Sequence, residues 1–202
     1  MRLIDTHSHL FLEEFSEDLP QVIERARSAG ITHIFMPNID STTIDSMLSV
    51  CNAYKDYCFP MIGLHPTSVN ADYEKELEIV ARELKSFNKY IAIGEIGMDL
   101  YWDKTFLKEQ QIALDKQINW ALEYDLPVVI HCRDAFDYIY NVLEPYKNTS
   151  LKGIFHSFTG TDDEAARILE FSGFLIGING VVTFKKSHLP EVLTKIPLEK
   201  IF

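Results

Sequence analysis

The sequence predicts an α/β fold: a TIM-type (β/α)8 barrel, lacking its last strand and helix in this chain, built as a single domain over residues 1–202. Three observations predict it. Short apolar runs alternate with helical patterns from end to end, which calls for a parallel sheet with helices outside it. The runs are apolar along most of their length, as strands buried on both faces are. Cation-binding side chains recur near the ends of the first, fourth, fifth and sixth runs. A closed barrel brings all its strand ends around one mouth, whereas an open doubly wound sheet gathers its site at one switch point.

The elements follow in order. Leu3–His9 is the first strand, and Leu19, Val22, Ile23 and Ala26 give the i, i+3, i+4, i+7 spacing of the first helix, which Gly30 stops. Ile31–Pro37 is the second strand, followed by a helix on Ile44, Met47, Leu48 and Cys51. Phe59–His65 is the third, followed by a helix on Leu77, Val80, Ala81 and Leu84. Tyr90–Ile96 and Pro127–His131 are the fourth and fifth, the latter preceding a helix on Phe136, Ile139, Tyr140 and Leu143. Gly153–Phe158 is the sixth, with Gly173 where its helix stops, and Phe174–Gly180 is the seventh. The last helix carries Leu189, Val192, Leu193 and Ile196, with Ser187 as N-cap and Pro190 in the first turn. Lys200-Ile201-Phe202 reads as the start of an eighth strand. A full barrel typically takes ~250 residues, so the expectation is a barrel whose first and seventh strands keep open edges unless another chain covers them.

Thirty acidic against nineteen basic residues give a formal charge of −11, so the overall field does not attract nucleic acid. A polyanionic substrate then needs bound cations or a local basic patch. No run approaches the ~20 apolar residues of a membrane span, and no basic segment precedes an apolar one at the N-terminus. Cys51, Cys58 and Cys132 are an odd number without metal-ligand spacing. They read as reduced core thiols of a cytoplasmic protein without membrane association.

The chemistry concentrates at the run ends. His7 and His9, two apart on one strand, point to the same side and chelate one ion together. Glu95 lies in Ile91-Ala92-Ile93-Gly94-Glu95-Ile96, where a carboxylate without a site is costly to bury. Its two oxygens suit a bridge between divalent ions held ~3.5–4 Å apart, and the flanking glycines permit close backbone approach. His131 and His156 occupy the same position in successive strands, a recurrence that favours ligands over core histidines. Arg133, two residues beyond His131, faces the same mouth and suits a phosphate oxygen, with pairing to Asp134 or Asp137 as its structural alternative. His65 is a substrate contact or proton donor, or else a cap of its loop. Tyr101 and Trp102, after Asp99, stack on a base or form an aromatic lid. His33 reads as a core or helix-facing residue, and His188 as exposed.

Five segments carry a resemblance to a known family: Ile4-Asp5-Thr6-His7-Ser8-His9, Ile62-Gly63-Leu64-His65-Pro66, Ile93-Gly94-Glu95-Ile96-Gly97-Met98-Asp99, Pro127-Val128-Val129-Ile130-His131-Cys132-Arg133 and Phe155-His156-Ser157-Phe158-Thr159-Gly160. In this order and spacing they resemble the TatD family of metal-dependent deoxyribonucleases, within the amidohydrolase-like superfamily. The resemblance implies two divalent ions (Zn, Mn or Mg), one on His7, His9 and Glu95, the other on Glu95, His131 and His156. It implies hydrolysis of DNA phosphodiesters, with 3′–5′ exonuclease action in some members, on single strands or strand ends. Glu95, His65 and Arg133 are then catalytic, and His65, Arg133, Asp99 and Tyr101 meet the substrate. The family also places an aspartate at the end of strand eight, beyond Phe202. Two alternatives follow from the residues: the same ions hydrolysing an ester or amide, such as a D-aminoacyl-tRNA ester, or an inactive metal-binding fragment.

Overall fold

The computed structural model describes residues 3–86 and 89–202. Among these residues seven strands run in the order β1 (Leu3–Asp5), β2 (Ile31–Met36), β3 (Cys58–Pro60), β4 (Ile93–Asp99), β5 (Val128–Arg133), β6 (Gly153–Phe155) and β7 (Phe174–Ile176). Seven helices alternate with them: α1 (Leu19–Ser28), α2 (Ile44–Ala53), α3 (Tyr73–Ser86), α4 (Leu107–Glu123), α5 (Phe136–Leu143), α6 (Asp162–Leu169) and α7 (Leu189–Leu193). All strand pairs are parallel, in the orders β1-β2-β3 and β4-β5-β6-β7. A bridge between Ile62 and Ile93 joins the two groups, and a second, Ile176 with Ile201, begins an eighth position beside β7. Phe202 extends it, donating its N–H to Ile176 and accepting from Ile178, each at 2.9 Å. This is the α/β barrel order expected from the sequence. Among the described residues β1 pairs with β2 alone, and Ile4 on it is half exposed.

The core lies between strands and helices, around Ile34, Met36, Ile93, Ile96, Ile130 and Phe174. β4 is buried over its whole length, as a strand covered on both faces must be. Gly97 makes its pairing with β5 possible. Its φ is +139°, and a Cβ there would sit 2.0 Å from the His131 carbonyl oxygen.

Several boundaries differ from the sequence reading. β1 ends at Asp5 rather than His9, because the Asp5 carboxylate accepts the His7 N–H at 3.1 Å and the Ser8 hydroxyl at 2.6 Å and turns the chain out of the sheet. The alternation argument for His7 and His9 therefore does not apply. β3 stops at Pro60, although Met61 still donates to the Met36 carbonyl at 2.9 Å and Ile62 bridges to Ile93. β4 begins and ends three residues later than expected, so Glu95 sits inside the strand and Asp99 closes it. β6 ends at Phe155 and β7 at Ile176, and at α7 His188, not Ser187, is the residue flanking the helix.

The buried face of α4 mixes Ala113, Leu114, Ile118 and Ala121 with two glutamines, and α6 buries Ala165 and Ile168. α4 turns Gln110 and Gln117 into the core, 5% and 1% exposed. Gln117 accepts from the Leu64 N–H at 2.7 Å, and Gln110 from the Asp99 N–H at 2.9 Å. Both glutamines satisfy backbone just outside or at the end of a strand, where no ladder partner exists. α6 is short, but Thr161 and Glu164 form a reciprocal capping box. That Thr-x-x-Glu pattern is the sequence signal that marks it.

Candidate metal centre

Glu95 lies at the middle of the site, 3% exposed, on a strand with no exposed residue. Its two oxygens face different histidines. Oε2 is 2.9 Å from His7 Nε2 and 3.9 Å from His9 Nε2. Oε1 is 3.1 Å from His131 Nδ1 and 3.7 Å from His65 Nε2. Two groups of possible ligand atoms result, His7 with His9 and Glu95, and His65 with Glu95 and His131; within each, the atoms lie within 4.8 Å of one another.

Three of the rings are oriented by a hydrogen-bonding partner beside them. The His9 Nδ1 lies 3.1 Å from the Pro37 carbonyl oxygen. A carbonyl only accepts, so Nδ1 carries the proton and Nε2 keeps its lone pair toward Glu95. His65 has the opposite tautomer. It precedes the 3-10 turn Pro66–Ser68, and its Nδ1 accepts the Thr67 N–H at 3.2 Å, so in the neutral ring Nε2 carries the proton. His131 is held from both sides, Nδ1 toward Glu95 and Nε2 at 2.9 Å from Asp99 Oδ2. Asp99 is 5% exposed and also accepts the Tyr101 N–H at 3.1 Å. His156, one residue past β6, stacks on His7 with ring centroids 3.5 Å apart and planes 12° from parallel.

Electrostatics prepare these groups for a cation. Burial pushes the His156 ring down to about 4, and the neighbouring His7 adds to the same direction. Burial, then His7, also lowers His9. Both rings are therefore neutral and their lone pairs free at ordinary pH. Burial raises Glu95, but hydrogen bonds from His131, His65 and His7 outweigh it and hold the carboxyl well below its usual range. Burial opposes charge on His131, yet Glu95 and Asp99 together raise it. His7 Nδ1 is a buried ring nitrogen with no hydrogen-bond partner. Imidazoles around a buried carboxylate are a donor set that fits divalent metal ions.

Arg133 ends β5 beside Asp99 in register. It pairs with neither Asp134 nor Asp137 in the described contacts; Asp137 holds Arg167 at 2.7 Å. The Arg133 guanidinium stacks on Tyr101 instead, 3.8 Å from the ring centroid. His33 lies apart from both groups, stacked on Phe59 at 5.4 Å. His188 is exposed and reaches the Gly160 carbonyl at 3.0 Å.

One supporting residue carries no obvious signal in the sequence. Asn38 is fully buried and exchanges backbone hydrogen bonds with β4, donating to Gly94 and accepting from Glu95, both at 3.2 Å. Its side chain donates to the Gly63 carbonyl at 3.0 Å. It thus ties the Glu95 backbone to the loop that carries His65. An asparagine directly after the second apolar run, at Pro37-Asn38, is the feature that points to it.

The described helices include none long and apolar enough to cross a membrane. The family model described as TatD related DNase matches residues 4–202. An uncharacterized metal-dependent hydrolase, YabD of Bacillus subtilis, is 34% identical over 200 residues, covering 98% of this chain and 77% of YabD. The 3′-5′ ssDNA/RNA exonuclease TatD of Pantoea ananatis is 30% identical over 201 residues, covering 98% and 76%. The crystal structure of YjjV, a TatD homolog from Escherichia coli, superposes with a TM-score of 0.91 at 32% identity, covering 100% of this chain and 77% of YjjV.

Proposed function

We propose, for a chain that belongs to the TatD family of metal-dependent hydrolases, hydrolysis of nucleic-acid phosphodiester bonds at a centre of two divalent ions bridged by Glu95. The observation that carries this reading is the division of the Glu95 carboxylate, with one oxygen facing His7 and His9 and the other facing His131 and His65. A carboxylate shared in this way suits two cations side by side. The relative named as a 3′-5′ ssDNA/RNA exonuclease supports single-stranded ends as the substrate.

His7, His9 and Glu95 would hold one ion, and Glu95, His131 and His156 the other. The family resemblance gives His156 the third place; its ring lies against His7, with centroids 3.5 Å apart, and burial pushes it down to about 4, so it is neutral. His65 suits a different task. With Nδ1 accepting from Thr67, its Nε2–H points toward Glu95 and is placed to donate to a phosphoryl oxygen or to a leaving group. Asp99 fixes His131, as carboxylates behind metal-binding imidazoles do. Arg133 offers a guanidinium at the rim for a second phosphate. Divalent ions bound there would supply Lewis-acid stabilisation of charge developing on the phosphoryl oxygens.

The test is an assay of the metal-stripped chain given back Zn, Mn or Mg, with end-labelled single-stranded DNA and a panel of small esters. The proposal predicts ion-dependent release of nucleotides from the 3′ end. Turnover of esters alone would overturn it.

A further inference from the structure

We infer that Trp102 is a stacking platform for an unpaired nucleobase, set on the rim of the centre and separate from the groups that hold ions. The inference rests on the nucleic-acid reading above.

Trp102 is 76% exposed and Tyr101 50% exposed, although tryptophan is ordinarily among the more buried side chains. An aromatic lid over the core would be covered, as Trp120 is where it packs against the buried clusters. Trp102 instead presents most of its surface to solvent. Its loop is nevertheless fixed. The Tyr101 N–H is held by Asp99, the carboxylate behind His131. The Tyr101 ring is occupied by Arg133 at 3.8 Å. Trp102 meets Tyr101 edge-on, 4.6 Å away with planes 89° apart, and the Arg133 guanidinium lies 5.6 Å from its ring. A cation and an indole thus stand side by side, one suited to a phosphate and the other to a base.

Trp102 also lines a hollow of about 150 Å³ with Pro66, Thr67, Asp99 and Phe106. Sites for whole small molecules run from roughly 300 Å³ upward, so this one takes a single ring. It lies between the His65 loop and the end of β4, both part of the centre. With a formal charge of −11, the protein gains little from the long-range attraction that holds phosphate backbones elsewhere. Stacking does not depend on that field and requires unpaired bases. The platform therefore selects single strands over duplex.

The test uses tryptophan emission and the full chain with Mg present. A hydrolysis-resistant phosphorothioate oligothymidylate is titrated against an abasic phosphorothioate strand of equal length. A Trp120→Phe background isolates Trp102. The expected result is quenching by the oligothymidylate and none by the abasic strand. Affinities of the variants are read from the anisotropy of fluorescein-labelled copies of the two strands: Trp102→Ala lowers the ratio of oligothymidylate to abasic affinity by about 5- to 150-fold, the span of aromatic–base stacking, and Trp102→Phe restores most of it. Equal binding of both strands without quenching would overturn the platform and leave the nucleic-acid reading standing. Failure of either strand to bind, with no cleavage of DNA, would overturn both.

Discussion

His131 Nε2 stands 2.9 Å from Asp99 Oδ2, so the ring that faces Glu95 with one nitrogen is anchored by a second buried carboxylate through the other. An imidazole oriented in this way is a better ligand than a free one, because its tautomer and direction are set in advance.

Asp99→Asn keeps the volume but removes the negative acceptor. The expected outcome is metal affinity about 10–100-fold weaker, the usual cost of losing such a partner, with the fold retained. Titration with a competing chelator measures it. Unchanged affinity would show that Asp99 does not support His131.

Gln117→Ala tests how the His65 loop is held. Gln117 is 1% exposed, accepts from the Leu64 N–H at 2.7 Å and donates to the Leu64 carbonyl at 3.3 Å. Its removal leaves backbone groups buried without partners, at about 1–3 kcal/mol for each unsatisfied group. A urea titration should show a lower midpoint with an unchanged slope.

The thiols give a prediction in pH. Burial pushes Cys51 and Cys132 up to about 12 and Cys58 up to about 11. Because the thiolate is the reactive form, and a raised value keeps the thiol protonated at pH 8, the folded protein should alkylate slowly there and faster only as pH rises toward 11. In denaturant all three should react at the ordinary rate. Rapid labelling of the folded chain at pH 8 would contradict the burial argument.

How much of this was written in the sequence depends on the kind of signal. An apolar run such as Val128–Ile130 declares itself because both its faces are buried. Glu95 was conspicuous for the same reason, as a charge in an apolar run. The ends of strands were less legible. β1 stops at Asp5 because of a side-chain turn, and apolar content says nothing about where such a turn forms. α4 escaped notice because Gln110 and Gln117 hold core positions that a hydrophobic pattern reserves for apolar residues. The pairing of Glu95 oxygens with particular histidines, and the opposite tautomers of His9 and His65, are three-dimensional facts. They depend on Pro37 and Thr67, neither of which has any titratable chemistry to attract attention.

The measurement that tests the central claim most directly is the metal content of the wild-type chain and of Glu95→Ala, His65→Ala and His156→Ala by elemental analysis after equilibration with Zn or Mn. A carboxylate bridging two ions predicts about two ions per wild-type chain, loss at both positions in Glu95→Ala, loss of one in His156→Ala, and full occupancy in His65→Ala. Loss of a single ion in Glu95→Ala, or wild-type binding of only one, would contradict the bridged centre.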